Sequence, residues 1–159
     1  MLFSRRTFIA SSAAILATPY VARANTPFVV QMLNKHPEDR KQRQIFLPRL
    51  AVIEAGESVL FQATDRGHNS ASADGMMPEG AEPWKGALGK DIEVNFTVPG
   101  VYGYVCTPHV SAGMVGAVVV RGAGVLDNLE AAKAVKQRGK AKKIFGEIFA
   151  EIDALDLSA

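Results

Sequence analysis

The stretch Val101-Tyr102-Gly103-Tyr104-Val105-Cys106-Thr107-Pro108-His109-Val110-Ser111-Ala112-Gly113-Met114-Val115-Gly116-Ala117-Val118-Val119-Val120 contains the only cysteine of the chain. Its two ends, Val101 to Val105 and Val115 to Val120, are short apolar runs rich in β-branched residues, the composition of buried strands. Between them lies a loop bearing Cys106, His109 and Met114 at Cys-x2-His-x4-Met spacing. Pro108 removes one backbone donor beside the sulfur, and Gly113 allows a turn tight enough to bring Met114 back towards it. Singly these residues carry little, since a free cysteine is usually a small buried hydrophobe and a methionine a gap-filler. Together, a thiolate, an imidazole and a thioether on one strand-to-strand loop form the soft donor set that holds copper in both of its common oxidation states.

A fourth donor must come from elsewhere in the chain, and His68 is the candidate. Ser58 to Ala63 alternates, with Val59, Phe61 and Ala63 on one face, as a half-buried strand does. Asp65-Arg66-Gly67-His68-Asn69 then places His68 just beyond that strand, with Asn69 beside it able to fix the neighbourhood by hydrogen bonding. His36 is the one histidine left over, too little for a second copper centre. That count separates an electron carrier from a copper enzyme, which needs an exchangeable coordination position and usually further histidine clusters. A copper store or chaperone would need several exposed sulfur ligands, and a single cysteine does not supply them.

The remaining elements follow the same period-2 logic. Phe28 to Leu33 is expected as a strand, 36–43 as a charged solvated loop, and Phe46 to Ile53 as a further strand interrupted at Pro48. Asp91 to Val98 alternates Ile92, Val94, Phe96 and Val98 with polar residues, and Pro99-Gly100 turns the chain into Val101. Residues 76–85 hold too many breakers for a strand; they are expected as a long connection with one helical turn at Glu82 to Lys85. Met76 and Met77 in it are expected to pack rather than to compete for the metal. Short strands with such turns point to an antiparallel sandwich. Beyond Gly124 the period becomes helical. Asp127 and Glu130 offer a capping pair for a helix through Val135, Gly139 a separator, and Ile144, Phe145, Ile148, Phe149, Ile152 and Leu155 an apolar stripe on a second helix.

Residues 1–24 read as a targeting segment. Ser4-Arg5-Arg6-Thr7-Phe8-Ile9 resembles the twin-arginine signal, Phe8 to Ala17 is mildly apolar, and Ala22-Arg23-Ala24 supplies small residues around a cleavage point. The apolar stretch is too short for a permanent bilayer-spanning helix. Removal of Arg5, Arg6 and Arg23 turns 18 basic residues into 15, against 16 acidic ones. The mature chain is then near neutral, which excludes a broad electrostatic preference for nucleic acid and leaves steering to local patches. One cysteine permits no intrachain disulfide.

The loop Cys106-Thr107-Pro108-His109 with Met114, preceded by His68-Asn69, resembles that of the pseudoazurins, bacterial blue-copper proteins of the cupredoxin superfamily. Met32-Leu33-Asn34-Lys35, Gly67-His68-Asn69, Met77-Pro78-Glu79-Gly80-Ala81-Glu82 and the helical tail are similar to that family too. The resemblance implies an all-β, cupredoxin-like Greek-key sandwich at 25–122, followed by two C-terminal helices at 123–159. It implies His68, Cys106, His109 and Met114 as ligands of one type 1 copper ion, and outer-sphere transfer of single electrons as the activity. It further implies a periplasmic location and redox partners such as a copper nitrite reductase as acceptor and a cytochrome as donor, with the carrier a monomer. Two departures stand out: Val105 occupies a position that is lysine in many pseudoazurins, and the charged stretch after Lys35 is longer than usual. His109, followed by Val110, Ser111, Ala112 and Gly113, is expected to reach the surface within an apolar patch rimmed by Lys35, Arg66 and Lys85.

Overall fold

The computed structural model describes residues 26–157; the expected targeting segment at 1–24 lies outside the described residues. Eight strands and two helices follow one another: β1 Phe28–Lys35, β2 Arg43–Leu47, β3 Leu50–Glu54, β4 Glu57–Gln62, β5 Ala71–Ser72, β6 Ile92–Phe96, β7 Gly100–Val105, β8 Val115–Arg121, α1 Leu129–Ala134 and α2 Gly139–Asp153. The strands form two four-stranded sheets, ordered β2-β1-β4-β6 and β3-β8-β7-β5. The sandwich and its two trailing helices are thus as the sequence predicts, but the sheets are not purely antiparallel. β1 runs parallel to β4 and β3 parallel to β8. Pro48 is the local cause: lacking an N–H it cannot continue the ladder, so the run from Phe46 to Ile53 divides into β2, an edge of one sheet, and β3, which joins the other.

Period-2 alternation sends Val59 and Phe61 of β4 inward, where they meet Val30 and Met32 from β1 and Tyr102 and Tyr104 from β7. Phe46, Phe61 and Tyr104 stand edge to face at centroid distances of 4.8–6.4 Å, geometries that add to plain area burial. Trp84 stacks on Phe61 at 5.9 Å. The helical turn expected at Glu82 to Lys85 does not form. The Trp84 backbone instead exchanges hydrogen bonds with Ser72, and Lys85 bridges Ala71, so pairing along β5 overrides a weak local helical preference. Met76, as expected, is core: it is fully buried against Gly103.

The helices cover the outer face of the second sheet. The α2 stripe of Ala141, Phe145, Ile148, Phe149 and Ile152 is buried in one cluster with Val115, Ala117 and Val119 of β8. Each large side chain so buried contributes about 1.5–3 kcal/mol. Gly139 is not a separator but the first residue of α2. The capping pair expected from Asp127 and Glu130 is absent: Asn128 is the N-cap of α1, and its side chain is drawn away to the N–H and carbonyl of Val101, at 2.9 and 2.7 Å. Arg49 ties α2 to the sandwich through Glu147, at 2.8 Å, and Glu151. Burial opposes the Arg49 charge, but those two carboxylates outweigh it and hold its pKa above the ordinary value.

Candidate metal centre

The backbone of the Cys106 to Met114 segment is closed on itself. Cys106 leaves β7, a 3-10 helix spans Thr107–Ala112, and Gly113 ends it in the left-handed region at φ 89°. The Cys106 N–H donates to the Met114 carbonyl at 2.9 Å, and the Met114 N–H to the His109 carbonyl at 3.2 Å. Gly113 is required twice over. Its backbone conformation favours glycine, and a Cβ there would lie 3.0 Å from Lys140 Cβ of α2. Gly116 meets a second steric limit, since a Cβ would fall 2.3 Å from the Tyr104 ring and 2.6 Å from the Arg49 carbonyl.

These constraints bring side chains from two distant loops to one point. His68 Nδ1 lies 3.0 Å from His109 Nδ1 and 3.8 Å from Cys106 Sγ, and His109 Nδ1 lies 3.5 Å from the same sulfur. These three residues each offer one candidate ligand atom, and the three atoms fall within 4.8 Å of one another. His68 and Cys106 are 0% exposed and His109 is half-buried. Met114 is also 0% exposed and packs in the same core as Cys106. All four residues singled out in the sequence therefore lie at one end of the sandwich; His36 lies apart, its Nδ1 accepting the backbone N–H groups of Glu38 and Asp39.

A surrounding layer holds these groups in place. His68 Nε2–H donates to Asn34 Oδ1 at 2.9 Å, which leaves Nδ1 of the neutral ring as a free lone pair facing the cluster. The Asn34 N–H in turn donates to Asp65 Oδ2 at 2.7 Å. Asn69 accepts the Thr107 N–H at 2.9 Å and donates to the Gly86 carbonyl and Thr107 Oγ1, both at 3.1 Å. It thereby fastens the residue after Cys106 to the residue after His68. Ser70 accepts the Trp84 indole N–H at 3.0 Å, and the Gly89 N–H donates to the His68 carbonyl at 2.7 Å. No local signal in the sequence marks Asn34 for this role, because its contact with His68 spans 34 positions.

The electrostatics suit a soft metal. Burial, then the charge His109 can carry, hold the His68 pKa below the ordinary imidazole value, while Asp65 works the other way. Burial pushes the Cys106 thiol up, opposed by backbone N–H groups of Asn69 and His109. A neutral imidazole is ready to ligate, whereas the thiol must lose its proton to an incoming ion. Two imidazole nitrogens, a cysteine sulfur and a buried thioether nearby are a donor set that copper fits and hard oxygen-seeking cations do not. At the surface above it, Pro108 is exposed and His109 and Val110 are half-exposed. Leu88, on the segment bonded to His68, is 61% exposed.

Comparison with known proteins agrees with this donor chemistry. The family of copper-binding proteins described as plastocyanin/azurin matches residues 36–121. A pseudoazurin of Methylorubrum extorquens is 37% identical over 152 residues, covering 96% of this chain and 99% of that relative. A pseudoazurin of Paracoccus pantotrophus is 35% identical, covering 91% and 95%. The solved structure of a pseudoazurin from Sinorhizobium meliloti superposes with a TM-score of 0.75 at 45% identity, covering 80% of this chain and 97% of that one.

Proposed function

The chain belongs to the pseudoazurins, blue-copper electron carriers of the plastocyanin/azurin family, and from that premise we propose that it carries single electrons to a reductase in the periplasm. Copper is its cofactor, and we assign His68 Nδ1, Cys106 Sγ, His109 Nδ1 and the Met114 thioether as the ligands. The observation that carries the assignment is the convergence of three ligating atoms within 4.8 Å at the end of a buried core. Bound there, copper supplies a one-electron Cu(I)/Cu(II) couple. The chain supplies rigidity: Asn34 and Asn69 fix the ring and the loop, and burial of His68, Cys106 and Met114 keeps water from the donors. Little rearrangement per electron is what such fixed donors favour, and no ligand position is offered to a substrate.

The same reading divides the chain into a twin-arginine signal at 1–24, a copper-binding domain at 25–122 and a helical extension at 123–159. Arg5-Arg6 followed by a weakly apolar stretch supports periplasmic export. Among the described residues no helix is long and apolar enough to cross a membrane. The half-exposed His109 ring, with Leu88 and Pro108 at the surface, favours brief close docking of a partner such as a copper nitrite reductase, with a cytochrome as donor and the carrier acting as a monomer. The test is single-turnover oxidation of the reduced protein by that reductase. Loaded wild type should be coloured and bleach on reduction, and Cys106→Ala should never colour. A colourless oxidised wild type holding one tight copper ion would sink the ligand assignment, and failure of the bleached, reduced protein to pass electrons would sink the partner.

A further inference from the structure

Helix α2 and the linker that joins it to α1 enclose a cleft of about 630 Å³. Phe145 and Phe149 form its floor, their rings stacked at 5.9 Å, and Lys136, Arg138 and Lys142 stand exposed along its rim. At about 3.6 residues per turn, Lys142, Gly146 and Phe149 lie nearly opposite Lys140, Ile144 and Glu147, which pack towards Gly113 and Arg49. The cleft shares no residue with the loop 106–114 that carries the metal ligands, and no carboxylate lines it. Lys133 at one end is already held by Glu130 and Asp153, each at 2.8 Å, whereas among the described residues the three rim cations have no ion-pair partner. The linker wall is fixed in place: Val135 seats over Gly75, where a Cβ would come within 3.3 Å of it, and Gln137 Nε2 lies 4.0 Å from Met76 Sδ.

Gly146 is the residue in this cleft that folding does not explain. It is exposed in the interior of α2, and a Cβ on it would meet nothing within 4 Å. Neither packing nor backbone conformation calls for glycine there, and a glycine inside a helix weakens it relative to alanine. The unpaired cations on the rim likewise repel one another in the free protein. One kind of ligand makes use of both features. Bare backbone at Gly146 lets an apolar chain lie close above Phe145 and Phe149, and the cations meet an anionic head. Solvation alone would account for the three charges but not for the glycine beside them.

We propose that this cleft binds a single-chain anionic amphiphile, a free long-chain fatty acid, with its carboxylate at Arg138 and Lys142 and its first methylenes along Gly146. The planar guanidinium of Arg138 suits a carboxylate bidentately, and the methylene stems of Lys136 and Lys142 extend the apolar walls. Phe145 and Phe149 are buried while the rim cations are exposed, so the apolar floor is recessed. A monomeric chain can enter and reach it, whereas a flat anionic bilayer would meet only the rim. The site lies beyond the electron-carrier reading and does not depend on it.

The test is a titration of the copper-loaded, reduced protein with laurate below its micelle threshold, followed by backbone amide NMR. Binding should saturate at one laurate per chain, with shifts centred on 134–149. Acetate, which lacks the chain, and dodecyl maltoside, which lacks the charge, should each bind at least about tenfold more weakly. Arg138→Gln/Lys142→Gln should weaken laurate by at least about tenfold with an unchanged visible spectrum. Gly146→Leu should abolish binding by filling the cleft. Gly146→Ala, which the open space accepts, should raise the laurate-free Tm by about 2–4 °C while weakening laurate about threefold. Absent saturation, acetate or dodecyl maltoside as tight as laurate, or a charge variant within about twofold of wild type would overturn the proposal. So would a lower Tm in Gly146→Ala, which would make the glycine a requirement of the fold, or binding to phosphatidylglycerol vesicles without binding of monomeric laurate.

Discussion

Asn69 and Asn95 each make three side-chain hydrogen bonds, yet they should differ sharply in what their loss does. Asn69 is 4% exposed and bonds the Thr107 N–H at 2.9 Å and the Gly86 carbonyl and Thr107 Oγ1 at 3.1 Å. Asn95 is exposed and bonds the Gly56 carbonyl at 2.9 Å, Ser58 Oγ at 3.3 Å and the Glu57 carbonyl at 3.4 Å. Asn69→Ala strands a buried carbonyl and a part-buried N–H, each costing about 1–1.5 kcal/mol, so about 2–3 kcal/mol in all. Asn95→Ala hands its partners to water and should cost about 0.5 kcal/mol or less. At about 3–4 °C per kcal/mol for a domain of this size, the expected losses in Tm are about 6–12 °C and at most about 2 °C. Thermal unfolding of the metal-free proteins, followed by circular dichroism, measures both without a contribution from copper affinity. Equal losses in the two variants would refute the reasoning that burial rather than bond count sets the cost.

Gly116→Val should cost more than 3 kcal/mol, because its Cβ enters the Tyr104 ring and the Arg49 carbonyl, and the variant should be recovered mostly as insoluble protein. Met114→Gln should keep the visible colour and lower the reduction potential, read by redox titration; loss of colour would make Met114 more than a tuning ligand. The raised Cys106 pKa means that the metal-free thiol keeps its proton at neutral pH, so loading one copper ion should release about one proton. Apparent copper affinity should then fall about tenfold per pH unit as pH is lowered, and a flat profile in a chelator competition would contradict the sign. Arg66→Glu and Lys85→Glu, both exposed, should slow reduction of an acidic acceptor at low salt while leaving the spectrum unchanged, with the difference vanishing as salt is added.

What could be read from the sequence was local. Cys106, His109 and Met114 share one loop, so spacing alone assembles them, and His68 stands beyond the alternating strand that ends near Ala63. The partners that hold them could not be read this way. Asn34 reaches His68 across 34 positions, and nothing in its own neighbourhood marks a ligand-orienting role. Asp127 and Glu130 form a good capping pattern on paper, but Val101 offers Asn128 two backbone groups, and that long-range demand wins. Pro48 was visible as an interruption, whereas its consequence, a chain crossing between sheets into parallel pairing with β8, depends on a partner strand that local pattern does not name.

The two parallel pairings bear on the order of events during maturation. His68 follows β4, whose parallel neighbour is β1, while Cys106, His109 and Met114 precede β8, whose parallel neighbour is β3. Parallel neighbours cannot be joined by a tight hairpin and close only after long stretches of chain are drawn together. Each half of the donor cluster therefore waits on a long loop closure. An ion arriving before then meets a mobile thiol, can recruit His36 or a second chain as further ligands, and would act as a kinetic trap. An ion arriving afterwards meets a finished socket, so folding first and metal second is the sequence of steps this topology rewards.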